Sequence, residues 1–452
     1  MRNCRYQRAS VRFGLPQDRR LLMTRVIPIA SSGSCPFKRA AEIDFMDPVV
    51  QENWFTAYDI LRDEAPIYFM PQIGMYVLTR YDDIEYVLRR PTLFTAGPDV
   101  QDKEPLIKHA QARDLYEQKG WRRYTSLGEN LPKHKHYRAL VDPKLTLAAI
   151  RNKEPFIRGV INELIDTWIY RGEVEFMKEF AEPLPMIVIG ELLGFPRMDL
   201  PKLKEWSYAW VLPFSRGLSL EQEIWAVEKH IELQHYIFDA IRDKRRAPKD
   251  DIITHLTQVE LFDVEIDRHR PLTDTEIIGI ADHLLIGGNE TTAFAIANGL
   301  WLLFRNPTTY QALQTDPTRI RNWVEEVLRI ESPTQGLFRH VTEDTDINGF
   351  NVPKGATLSI RYGAGNHDPA KFPDPVTPDL ERKNAGRHLA FGIGEHVCPG
   401  ATLSRYEQWL AWEVLFDRVR NMRPVPEKDD YTHIPGFWLR ALKQIHMRFE
   451  KA

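Results

Sequence analysis

Apolar and polar positions change period along this chain, and the change predicts a helical body with a small β region. Pro66 to Phe69 and Met75 to Thr79 are short β-rich runs separated by Pro71 and Gly74, a spacing that predicts a hairpin. Asn348-Gly349 is a tight-turn signal, and Gly355 to Tyr362 predicts a further strand. Between about residues 145 and 330 the patterns are helical. Thr273 and Glu276 form a capping-box pattern that opens the longest helix, expected to run to about Asn306, just before Pro307. There is no internal repeat, and Arg242 to Asp251 predicts a short charged loop between helices rather than a domain boundary. The expected fold is one mainly α domain with a small β region.

With 452 residues, 43% hydrophobic and 11% aromatic, the chain can bury a large core and an internal ligand. A net charge of −3 gives no reason to expect a nucleic-acid partner. Three cysteines without regular spacing argue against a disulfide framework and for a reducing compartment. The N-terminus lacks the run of about 18 apolar residues a membrane span needs, so a soluble, cytoplasmic protein without membrane attachment is expected. Residues 1–25 carry Arg2, Arg5, Arg8, Arg12, Arg19, Arg20 and Arg25 against the single acid Asp18. That basic segment is expected to be a disordered arm, a transit-like segment or residues ahead of a translation start at Met23; residues 1–45 are expected to be a partly disordered extension, and residues 46–452 the functional domain.

The chemistry concentrates in Phe391-Gly392-Ile393-Gly394-Glu395-His396-Val397-Cys398-Pro399-Gly400. Two glycines permit tight turns that bring peptide N–H groups round to one sulfur, and a thiolate so surrounded can serve as a metal ligand. Taken alone, Cys398 could also be a small buried hydrophobe, or with His396 half of a zinc site, for which Cys4 and Cys35 are distant in sequence. The pattern Phe-Gly-x-Gly-x-His-x-Cys-x-Gly closely resembles that of the haem-thiolate monooxygenases, the cytochromes P450 in their soluble bacterial form. That resemblance implies the cytochrome P450 fold, a single triangular haem domain, and haem b with an axial thiolate from Cys398.

Other segments match the family in order and spacing. Gly287-Gly288-Asn289-Glu290-Thr291-Thr292 lies mid-helix, where two adjacent glycines cost about 1 kcal/mol each relative to alanine, and in isolation a tight helix crossing would account for them. It resembles the oxygen-activation motif, with Glu290 where aspartate is more usual. The resemblance assigns Thr291 a hydrogen bond toward the oxygen being activated and Glu290 proton delivery through water, while small Gly287 and Gly288 let the helix pass over the cofactor; Thr292 is expected to pack between helices. His134 and Arg138 share a helical face, and with Arg339 and His396 they match the partners of the haem carboxylates. Phe391, Gly392 and Gly400 belong to the cofactor loop. Glu326, Arg329 and Arg382 match a buried structural triad, with departures at His367 and Pro378. His388 is expected to be a structural histidine. Pro399 lacks an N–H for the sulfur, and a place as first residue of the next helix accounts for it equally well.

The resemblance implies insertion of one atom of dioxygen into an apolar organic substrate, with electrons from a separate ferredoxin or flavodoxin and its reductase. A peroxide-driven peroxygenase and a non-enzymatic haem protein are the alternatives. Lys133, Lys135, Arg387 and Arg405 are candidates for a basic docking patch. The stretch Thr95 to Leu131 and the aromatics Trp206, Tyr208, Trp210 and Phe214 occupy access and lid positions. His283, Ile286 and Leu337 are expected in the substrate pocket, His283 either as a polar anchor four residues before Gly287 or turned aside and bonded to a neighbouring helix.

Overall fold

The structure, a computed structural model, describes residues 37–97, 107–121, 126–215 and 218–452. Cys4, Cys35, the arginine-rich N-terminus, residues 98–106 and 122–125 of the expected access stretch and the Phe214 side chain lie outside the described residues. Phe37, Ala40, Ile43 and Phe45 were expected in the extension, yet all four are buried against Trp54, Tyr58 and Leu61.

The centre of the body is the helix Asp274–Arg305, thirty-two residues long. Both halves of its capping box are present: the Thr273 hydroxyl accepts from the Glu276 N–H, and the Glu276 carboxylate accepts from the Thr273 N–H. Its apolar residues belong to the main core, together with the helices Pro183–Leu193, Leu220–Arg246 and Ala401–Arg418. Burial nearly all round such a helix means that any stretch of it open on one side has another cause.

The β region is a five-stranded sheet in the order Ile67–Met70, Met75–Leu78, Thr357–Ile360, Leu337–Val341, Phe94–Thr95. The expected hairpin is its edge, paired Ile67 with Leu78. Thr357–Ile360 joins that hairpin in parallel, so residues far apart in sequence meet at one sheet. Asn348 and Gly349 have φ of 51° and 87°, the positive pair a tight two-residue hairpin requires.

Three expectations need correction. The expected strand Gly355 to Tyr362 is only Thr357–Ile360, and Tyr362 opens a short helix. The expected charged loop Arg242 to Asp251 is helix as far as Arg246; Lys244, inside it, pairs with buried Asp251, so the charges secure the turn. A hairpin, Glu260–Asp263 with Arg268–Pro271, interrupts the region expected to be wholly helical. Its strands are mostly polar, and Arg270, bonded to Asp263 and Glu276, anchors it. No helix among the described residues is long and apolar enough to cross a membrane.

Candidate haem-thiolate site

The cysteine loop is built from backbone turns only glycine adopts cheaply. Gly392 and Gly394 have φ of 62° and 77°, and a Cβ on Gly394 would stand 2.6 Å from the Leu88 carbonyl oxygen. The loop closes on itself, the Cys398 N–H donating to the Phe391 carbonyl at 2.9 Å. Helix Ala401–Arg418 follows with Gly400 as its cap, so Pro399 precedes the helix and is not its first residue. Burial pushes the Cys398 thiol up, while the Gly400 and Ala401 N–H groups and the nearby Arg138 and Arg405 favour the thiolate. The sulfur therefore has two peptide donors even though Pro399 supplies none.

The helix Lys133–Val141 is fastened to this loop at two points. His134 Nδ1 lies 3.3 Å from Glu395 Oε1, and Arg138 Nη1 donates to the Val397 carbonyl at 2.8 Å. The rings of His134 and His396 are 4.0 Å apart. Burial, together with His134, Arg339 and Arg138, holds His396 down to about 3, so it is neutral. Buried Arg339, on strand Leu337–Val341, bonds the Phe338 carbonyl and the Tyr362 hydroxyl. Cys398, His134, Arg138, Arg339 and His396 thus converge from three separate elements.

Across from the loop, the long helix opens on one stripe. His283 and Gly287 are exposed and Thr291 partly so, four residues apart each time, while most of the residues between and beyond them are buried. Thr291 donates its hydroxyl to the Gly287 carbonyl at 3.0 Å. The two glycines do different things. A Cβ on Gly287 would meet nothing within 4 Å, whereas one on Gly288 would press to 2.9 Å from Ile189 on helix Pro183–Leu193. Gly288→Val should then cost about 1–3 kcal/mol by overpacking, and Gly287→Ala should leave stability unchanged or raise it by up to about 1 kcal/mol. Equal losses in denaturant unfolding would remove the distinction.

Burial first, and then the negative Glu182, push Glu290 up to about 8 against the pull of Lys204. Glu290 is therefore an acid holding its proton at neutral pH. Glu182 is itself paired with Lys204, a neighbourhood the sequence offered no signal for. Thr292 donates to the Ser404 hydroxyl, 2.9 Å away, tying the long helix to the cysteine helix as a packing residue. Ile286 is buried in the main core, off the open stripe, and Leu337 is exposed. Trp206 is also buried and bonds Glu232, while Tyr208 faces outward.

Glu326 accepts from Arg329 at 2.6 and 2.9 Å, from Arg382 at 3.2 Å and from the Asp379 N–H at 2.9 Å. His367 is neutral, burial lowering it to about 3; it bonds the Ile330 carbonyl and stacks on Phe55. His388 bonds Glu325. The expected basic patch is half committed elsewhere: Arg405 is bonded twice to Glu325 and lies over the Phe391 ring, and Lys133 pairs with Glu265. Lys135 and Arg387 remain exposed.

A haem with one thiolate ligand suits these residues. Cys398 supplies the sulfur, the space over Gly287 accepts a flat group, and His134 Nε2 is a buried polar atom with no hydrogen-bond partner among the described residues. No cluster of three metal-ligating side chains occurs among the described residues.

The family description "Cytochrome P450" matches residues 202–420. Cytochrome P450 109 of Bacillus spizizenii is 30% identical over 399 residues, covering 87% of this chain and 91% of that protein. The biotin biosynthesis cytochrome P450 of Bacillus subtilis is 31% identical over 408 residues, covering 88% and 97%. Among solved structures, a cytochrome P450 from Chondromyces apiculatus superposes with a TM-score of 0.78 at 29% identity, covering 91% of this chain and 99% of that one. One from Bacillus megaterium in complex with testosterone gives 0.76 at 29% identity, covering 89% and 99%. With its cysteine loop, open helix stripe and likeness to these proteins over most of its length, this chain belongs to the cytochrome P450 family of haem-thiolate monooxygenases.

Proposed function

We propose that this monooxygenase inserts one oxygen atom into a C–H bond or alkene of an apolar organic molecule that also bears a polar group, drawing electrons from a separate ferredoxin or flavodoxin. Hydroxylation then balances as substrate, dioxygen, two electrons and two protons giving alcohol and water. The observation that carries this reading is the stripe His283, Gly287, Thr291 beside Glu290, whose carboxyl burial pushes up to about 8. When bound, the haem supplies dioxygen binding and oxidising power, its thiolate donating electron density.

The chain's own residues have separable tasks. His134, Arg138, Arg339 and His396 hold the haem carboxylates. Gly287 keeps the space above the haem clear. Thr291, bonded to the Gly287 carbonyl, holds its hydroxyl at the edge of that space, and Glu290 stores a proton within the same helical turn. His283, one turn away, offers a hydrogen bond to a carbonyl, hydroxyl or carboxylate of the substrate; the steroid complex of the Bacillus megaterium relative supports a large apolar ligand with such groups. Exposed Lys135 and Arg387 lie on elements flanking the cysteine loop, where an acidic electron carrier can approach. The sparse cysteines favour a cytoplasmic setting.

Thr291→Ala tests the proton route. Electron consumption should continue while product per reducing equivalent falls by about tenfold or more, at or below the low end of what a positioned proton donor contributes. Unchanged coupling with reduced ferredoxin would remove Thr291 from that route. Undiminished turnover with peroxide alone in the wild-type protein would favour a peroxygenase.

A further inference from the structure

Glu395 sits inside the cysteine loop and contacts His134, one of the residues assigned to the haem carboxylates. Its Oε1 is 3.3 Å from Nδ1 of His134, whose side chain is only 1% exposed. The other ring nitrogen, Nε2, is buried and has no partner among the described residues. A carboxylate only accepts hydrogen bonds, so the Glu395 bond uses the proton on Nδ1. A neutral imidazole with its proton there presents only a lone pair at Nε2. A haem carboxylate also only accepts, and it can meet Nε2 only if that nitrogen carries a proton as well.

We propose that Glu395 makes His134 a doubly protonated imidazolium when haem is bound, so that a cation rather than a neutral histidine grips the haem carboxylate. This rests on the reading that His134 and Arg138 hold that carboxylate. Glu395 is then a positioning residue, acting on the cofactor through His134.

The groups facing His134 can be followed one by one. Arg138 and Asp142 face it from its own helix and the turn after it, and Glu395 and His396 from the cysteine loop. In the protein alone, burial lowers the His134 pKa; Glu395 and Asp142 oppose that fall and Arg138 adds to it. A haem carboxylate at Nε2 adds a second anion to the side that favours the charged ring. Both ring bonds then join a cationic donor to an anionic acceptor, in the strong charge-assisted class. Haem loading takes up one proton from solvent at His134; no other bond to His134 forms or breaks. Glu395 is itself partly exposed, and a Glu395→Gln change removes its negative charge while keeping a polar group beside His134.

The test uses holoenzyme labelled with 15N-histidine, in its diamagnetic reduced carbon monoxide complex, with the His134 signal assigned by its absence in His134→Gln. At pH 8 both ring nitrogens of His134 should be protonated in the wild type, and the ring should be neutral in Glu395→Gln, whose amide keeps the shape but can donate to Nδ1. Haem transfer to excess apomyoglobin at the same pH should quicken about tenfold in Glu395→Gln, as one charge-assisted bond weakens. A neutral His134 in the wild type, or a ring still charged in Glu395→Gln, overturns the proposal. If His134→Gln sheds haem faster while Glu395→Gln does not, the proposal falls but the carboxylate reading stands. If His134→Gln sheds haem no faster, that reading itself falls.

Discussion

Cys398→Ser is expected to fold and to lose both the thiolate signature of the reduced carbon monoxide complex and all monooxygenase turnover. Serine is close in size, and the bonds that shape the loop are backbone bonds: Cys398 N–H to Phe391, and positive-φ turns at Gly392 and Gly394. None of these involves the sulfur, so far-ultraviolet circular dichroism should change little. The sulfur itself lies among the Gly400 and Ala401 N–H groups with Arg138 and Arg405 nearby, an environment that pulls toward the anion while burial opposes it. Metal coordination decides that balance by removing the proton outright. A serine hydroxyl is far less acidic and far less electron-donating, so the push that makes the haem an oxidant is gone. The measurement is the absorption spectrum of the reduced carbon monoxide complex together with product formation. Survival of the thiolate band would mean that another sulfur binds the iron.

The second large effect is expected at Glu326, far from any substrate. Glu326 and Arg329 are fully buried and Arg382 nearly so. Removing the acid in Glu326→Ala leaves two buried guanidinium groups uncompensated, a loss of about 3–5 kcal/mol for breaking a buried ion pair. The damage should spread along the chain, because the same arginines donate to the carbonyls of Asn366, Pro373, Asp374 and Pro375. Glu326 also accepts from the Asp379 N–H, so the whole segment leading to the cysteine loop hangs on this cluster. Denaturant unfolding should show the loss, and the variant should purify with less haem than wild type. A drop under about 1 kcal/mol, the scale of an exposed pair, would show that the segment is held by other contacts.

How much of this was legible in the sequence depended on the range of the interaction. The capping box at Thr273 and Glu276, the Asn348-Gly349 turn and the glycines of the cysteine loop are local, and their geometry follows from residues a few positions apart. The hairpin Glu260–Asp263 with Arg268–Pro271 was not legible, because mostly polar strands carry no alternation; side-chain bonds from Arg270 to Asp263 and Glu276, which leave no hydrophobic pattern, hold it. Arg405 read as a surface charge, and only packing against Phe391 and Glu325 showed it committed inward. Glu395 was in plain view within the loop, but its partner is 261 residues away.

By itself, the sequence carried the resemblance: the Phe-Gly-x-Gly-x-His-x-Cys-x-Gly pattern around Cys398 is that of the cytochromes P450, and that resemblance implied the reaction class. It also determined where the long helix begins and that Glu290 and Thr291 lie together within it. Only the tertiary structure decided charge and direction. The burial and the nearby Glu182 that push Glu290 up to about 8 come from the surrounding fold, as does the split between open Gly287 and packed Gly288. The reason is physical: backbone conformation and side-chain spacing are short-range and travel with the residues, whereas burial and the field at a buried group are sums over everything the fold brings near.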